Sequence, residues 1–73
     1  GGAPLISKTM RIERGEGDIA GPLGDIATAH PDLSIGSYPF QKDGKYGANV
    51  VIRGTDGAEV DTALTELAAH FPA

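Results

Sequence analysis

LSIGSYPFQKDGKYGANVVIR, residues 33–53, reads as two strands joined by a tight turn. Asp43-Gly44 sits between apolar runs and is flanked by Gln41, Lys42 and Lys45. Glycine supplies the positive φ that short hairpin turns require, so the spacing predicts a local hairpin. On its second arm Ala48, Val50 and Ile52 alternate with Asn49, Val51 and Arg53. The β-branched run Val50-Val51-Ile52 is the strongest strand signal in the chain and predicts a central position. On the first arm Leu33 and Ile35 share one face, while Ser34, Gly36, Tyr38 and Phe40 share the other. Gly36 and Pro39 disfavour a sheet interior, which places this arm at an edge.

Before the hairpin, Gly1 to Pro4 read as a linker, and a first strand is expected over about Leu5 to Arg14. There Ile6, Met10 and Ile12 share one parity and Ser7, Thr9, Arg11 and Glu13 the other, with Lys8 breaking the apolar face. Ile19, Leu23, Ile26, Ala27 and His30 follow at helical spacing. Two helix starts fit, one capped by Asp18 and one by Gly21 with Pro22 as first helical residue. His30-Pro31 stops this helix, because the residue before proline is pushed out of the α region.

After the hairpin, Asp56 with Glu59 three residues on resembles a capping box. Val60, Ala63, Leu64, Leu67, Ala68 and Phe71 form the apolar stripe of a last helix, which Pro72 ends. The order is βαββα. A right-handed crossover sets the first two strands parallel, and keeping the hairpin paired puts the third strand between them, giving order 1-3-2. The fold class is therefore α+β: a two-layer sandwich with a three-stranded antiparallel or mixed sheet and both helices on one face, KH-like or truncated ferredoxin-like. The other face stays open and carries Thr9, Arg11, Tyr38, Phe40, Asn49 and Val51.

Seventy-three residues make one domain with one small core. With no cysteine, neither disulfides nor thiolate zinc can staple it, which fits a reducing, cytoplasmic setting. A formal charge of −4 disfavours nucleic-acid binding, and no apolar run approaches the roughly 20 residues that cross a bilayer. The chain opens Gly-Gly-Ala-Pro without an initiator Met, as expected of a piece of a larger protein.

Candidate chemistry is sparse. His30 and His70 each end a helix, where an imidazolium favours the negative end of the dipole, and neither has a ligand partner at metal spacing. Asp18 and Asp25 could share a helix face, but their turn-like, glycine-rich setting points to solvated carboxylates. Gly21-Pro22-Leu23-Gly24 matches a GxxG, without the cations that clamping a phosphate backbone needs. Gly15-x-Gly17 is too short for a dinucleotide fingerprint, and Ser7, Ser34 and Ser37 lack a nucleophile elbow. No catalytic, cofactor-binding or metal-binding residue is therefore assigned. Arg11, Tyr38, Phe40 and Val51 are the candidate interaction surface, for a neighbouring domain or, alternatively, for a small ligand or single strand stacked on the rings.

SIGSYPF at 34–40, VIRGTD at 51–56, GEGDIAGPL at 15–23 and the HPDLSIGS join resemble the C-terminal region of molybdopterin-binding, competence/damage-inducible protein A-like proteins. The resemblance implies a small KH-type domain that follows an N-terminal domain similar to molybdenum-cofactor biosynthesis proteins. It further implies that any molybdopterin or nucleotide site lies in that parent domain. On this reading the chain is a noncatalytic accessory domain, without a cofactor of its own, that packs on the parent domain in cis or in a homo-oligomer.

Overall fold

The computed structural model describes residues 4–72, so all of the expected linker at 1–4 except Pro4 lies outside the described residues. The elements are β1 (Ile6–Ile12), α1 (Glu16–Ala29), β2 (Ser34–Lys42), β3 (Lys45–Gly54) and α2 (Gly57–Ala69). β3 lies between β1 and β2 and is antiparallel to both, giving the order β1-β3-β2. The α+β class, the βαββα order and the central placement of the third strand are as the sequence predicts.

The hairpin turns on Asp43 and Gly44 with φ of 54° and 78°, the two positive values that fit the twist of a two-residue connection. From that turn the register follows: Lys42 faces Lys45, Tyr38 faces Asn49 and Ile35 faces Ile52. β1 joins the far edge of β3 with Ile12 opposite Ala48 and Ile6 opposite Gly54. The hairpin tip therefore extends past the end of β1, and the molecule measures 44 × 22 × 18 Å.

Alternation then sorts the side chains. Ala48, Val50 and Ile52 point into a core completed by Ile12 of β1, Ile19 and Ile26 of α1, and Val60, Ala63 and Leu67 of α2. Val50, Ile52, Val60, Ala63 and Leu67 are wholly removed from solvent. Ala27 and Ala68, which fall on the expected helical stripes, are exposed, each at the margin of its helix's apolar face.

Two boundaries and the capping box differ from expectation. α1 begins at Glu16 with Gly15 as its N-cap, since the Gly15 carbonyl already accepts from the amides of Asp18 and Ile19 at 2.9 and 3.2 Å. Neither Asp18 nor Gly21 is the cap, and Pro22 lies inside the helix. β1 stops at Ile12 and does not reach Arg14. Where it leaves the sheet its backbone passes against Gly47, and a β-carbon there would overlap the Ile12 carbonyl oxygen and lie 2.9 Å from Glu13 Cα. Finally, Asp56 caps α2 by accepting from the amides of Ala58 and Glu59, but the Glu59 side chain turns away, so only half of the capping box forms. Lys8, the break in the apolar face of β1, pairs at the edge with Asp61 of α2.

Truncation at the centre of this core, Ile52→Ala, is expected to cost about 2–5 kcal/mol. Gly47→Ala should lose about 1–3 kcal/mol through overlap with β1. Thr9→Ala, on the open face, should stay within about 0.5 kcal/mol. Urea denaturation of the three variants checks the ranking; an Ile52→Ala protein as stable as Thr9→Ala would refute the placement of the core.

Candidate interaction face and a histidine clamp

The sheet register brings the four predicted surface residues together on the face that neither helix covers. Arg11, Asn49 and Tyr38 form one row across the three strands; Val51 lies in the row beside it and Phe40 opposite Gly47 on the other side. Tyr38 is half exposed, whereas Phe40 and Val51 are partly buried. The Arg11 guanidinium lies 3.9 Å from the centroid of the Phe40 ring, two strands away. Between them Gly47 has no side chain to block the reach. Such a stack on an open surface contributes about 0.5–1 kcal/mol and holds both groups flat against the sheet. Glu13 accepts from Arg11 at 3.3 Å and lies 4.0 Å from Lys45. The Tyr38 ring leans along its strand over Gly36, 3.1–3.4 Å from where a β-carbon would stand.

The second cluster is one that spacing did not reveal. His30 is the C-cap of α1, as expected, but its ring does not serve the helix carbonyls. Nδ1 faces Glu59 Oε2 at 3.0 Å and Nε2 faces Glu66 Oε2 at 3.1 Å, both on α2. The sequence offered this ring only the helix dipole; its partners in the structure are two carboxylates of α2. The seven-residue spacing of Glu59 and Glu66 places them two turns apart on one face of α2, and the crossing of α1 inserts the ring between them. That spacing is visible in the sequence; the crossing is not.

Two carboxylates can both be satisfied only if both ring nitrogens carry protons, so the site favours the imidazolium. Hydrogen bonds to Glu59 and then Glu66 raise the His30 pKa above 6.5, against a smaller opposing push from desolvation. Among the described residues no buried side-chain nitrogen or oxygen lacks a partner. The carboxylates approach opposite sides of the ring, so they cannot converge on one ion, and among the described residues no group of three or more His, Cys, Asp or Glu side chains is placed to hold a metal.

The other candidates stay apart. His70 caps α2 and is exposed, its ring 6.4 Å from that of Phe71. Asp18 and Asp25 are both exposed on α1. Gly21 and Gly24 lie within α1, so the GxxG is helical backbone and not a loop.

A family model described as the middle domain of FAD synthase matches residues 4–73, and the chain belongs to that family. No curated protein and no solved structure matches. The resemblance to molybdopterin-binding, competence/damage-inducible protein A-like proteins is overturned by this finding, and with it the parent domain and molybdenum-cofactor role it implied. All four phrases that carried it fall on β2, the β3-to-α2 turn, the start of α1 and the α1-to-β2 join. Among the described residues no helix is long and apolar enough to cross a membrane.

Because the folded His30 pKa lies above its value in the unfolded chain, the stability it contributes is full below about pH 6.5, while both glutamates remain ionised, and is lost as pH rises through the folded value. Urea midpoints followed upward from pH 6.5 should fall in the wild type and lose that component of the slope in His30→Gln. Equal slopes in the two proteins would rule out the clamp.

Proposed function

We propose that this chain, a member of the FAD synthase middle-domain family, is a noncatalytic accessory domain that docks on a neighbouring domain of the same polypeptide through its open sheet face. The observation that carries this reading is the one-sidedness of the sandwich. Both helices pack on one side of the sheet, and Arg11, Tyr38, Phe40 and Val51 stand together on the other. A description as a middle domain also implies a partner domain in cis.

An enzymatic reading needs a nucleophile or base aimed into a shared space. Among the described residues the acid-base cluster of His30 with Glu59 and Glu66 has both ring nitrogens already engaged in joining two helices. It holds structure and leaves no lone pair for a substrate. A cytoplasmic setting belongs to the same reading, since a cysteine-free core has nothing to lose in a reducing compartment.

The isolated domain should unfold cooperatively, form no FAD, and bind FAD, adenine nucleotides or short single strands no better than millimolar by calorimetry. Within the full-length protein Val51→Asp should loosen the domain, read as an increased radius of gyration in solution scattering. Micromolar binding of any of those ligands by the isolated domain would overturn the proposal in favour of a ligand module.

A further inference from the structure

The fold sorts the charges of this chain. All six cations lie in the sheet layer or at its rim: Lys8 and Arg11 in β1, Arg14 just after it, Lys42 at the end of β2, Lys45 and Arg53 in β3. α1 and α2 contain Glu16, Asp18, Asp25, Glu59, Asp61 and Glu66 and not one Lys or Arg. Strand alternation divides the sheet cations further. Lys8 turns to the helix side, where Asp61 takes it. Arg11, Arg53, Lys42 and Lys45 share the parity of Tyr38 and Val51 and so belong to the open face. Glu13 answers them there, held by Arg11 and Lys45, and Asp43 sits in the turn between Lys42 and Lys45. Four cations against Glu13 and the turn carboxylate of Asp43 leave that face and its tip a formal excess of two positive charges, on a chain whose total is −4.

We propose that the surface this face docks on is acidic, and that it belongs to a neighbouring domain of the same chain and not to a second copy. The inference rests on the accessory-domain reading and adds the partner's chemistry. A symmetric pair of copies joined through this face would set one basic patch against another, since a two-fold interface is self-complementary. A head-to-tail pair, with acidic helices of one copy on the basic sheet of the next, leaves both outer surfaces free and propagates into open chains. A nucleic acid would meet Glu13 in the middle of the strip and a net negative molecule behind it. An acidic domain tethered in cis meets neither obstacle, and the tether raises its effective concentration, so a patch of modest affinity suffices. Tyr38, Phe40 and Val51 then supply the apolar part of the contact, and the four cations set its register and exclude wrong partners.

Full-length protein treated with a carbodiimide, which joins an amine to a carboxylate only where the two already touch, provides the test. Mass spectrometry should find Lys42 and Lys45 coupled to Asp or Glu residues outside 4–72 of the same chain, identified by mixing isotope-labelled and unlabelled protein. The yield should fall several-fold at high salt and in Arg11→Glu/Arg53→Glu, whose two altered positions are exposed and leave the core untouched. Hydroxyl-radical footprinting of the same sample gives an internal control. Tyr38 should be protected relative to Tyr46, which points away from the face; the two are 51% and 62% exposed in the domain itself. Protection of Tyr38 without these cross-links would overturn the acidic partner and leave the accessory-domain reading standing. Cross-links only between differently labelled chains would establish a second copy instead. Retention of a short oligonucleotide by the wild type and its loss in Arg11→Glu/Arg53→Glu would convert the face into a polyanion site. Equal reactivity of the two tyrosines would sink both readings.

Discussion

Everything in this domain depends on sequestering one side of β3. From Ala48 to Arg53 both of its edges are satisfied, by β1 on one side and β2 on the other, so over that length its backbone donors and acceptors need no water. Its inward side chains, Val50 and Ile52, lose all contact with solvent only because α2 lies over β1 and β3 while α1 closes against α2 and β2. A chain of 73 residues without cysteine has no second core and no staple to fall back on. The positions where backbone is pressed most closely, Gly47 against β1 and Gly54 against Leu33, lie on this same strand.

Most of the frame was legible because its causes are local. Asp43-Gly44 fixes the turn, the turn fixes the register, and the register decides which residues of β2 and β3 look inward. The handedness of the crossover then places β1. The start of α1 was not legible, because the choice of cap among Gly15, Asp18 and Gly21 depends on where β1 releases the chain, and Gly47 settles that from the other end of the sequence. The His30 clamp and the Arg11 stack on Phe40 were hidden for a related reason. Each joins residues some thirty positions apart, through a helix crossing in one case and a missing side chain in the other. The family was misread because the resemblance rested on four short phrases, whereas the family match extends over residues 4–73.

The charge sorting links fold to function more directly than any single residue. A net charge of −4 argues against basic surfaces only if the charges are mixed, and here they are layered. With both helices on one side, acidic residues on helices and cations on strands become two opposed surfaces. At physiological salt the screening length of about 8 Å is shorter than the thickness of the molecule, so each surface is felt by a contacting partner largely on its own terms.

The two helices are held in place by different means. α2 has a side-chain cap at Asp56 and three core residues, and its own sequence favours helix. α1 carries Gly17, Gly21 and Gly24, which together cost about 3 kcal/mol relative to alanine, and an interior Pro22 that costs about 3 more. Burial of Ile19 and Ile26 returns about 1.5–3 kcal/mol each, which roughly cancels that deficit. The helix therefore exists because the sheet and α2 hold it, and the contacts at its C-terminal end matter out of proportion to their number. His30 is placed at that end, where one charged ring reaches two turns of the better-formed helix and ties the weaker one to it. A cap that bonded only its own helix would do nothing for that dependence.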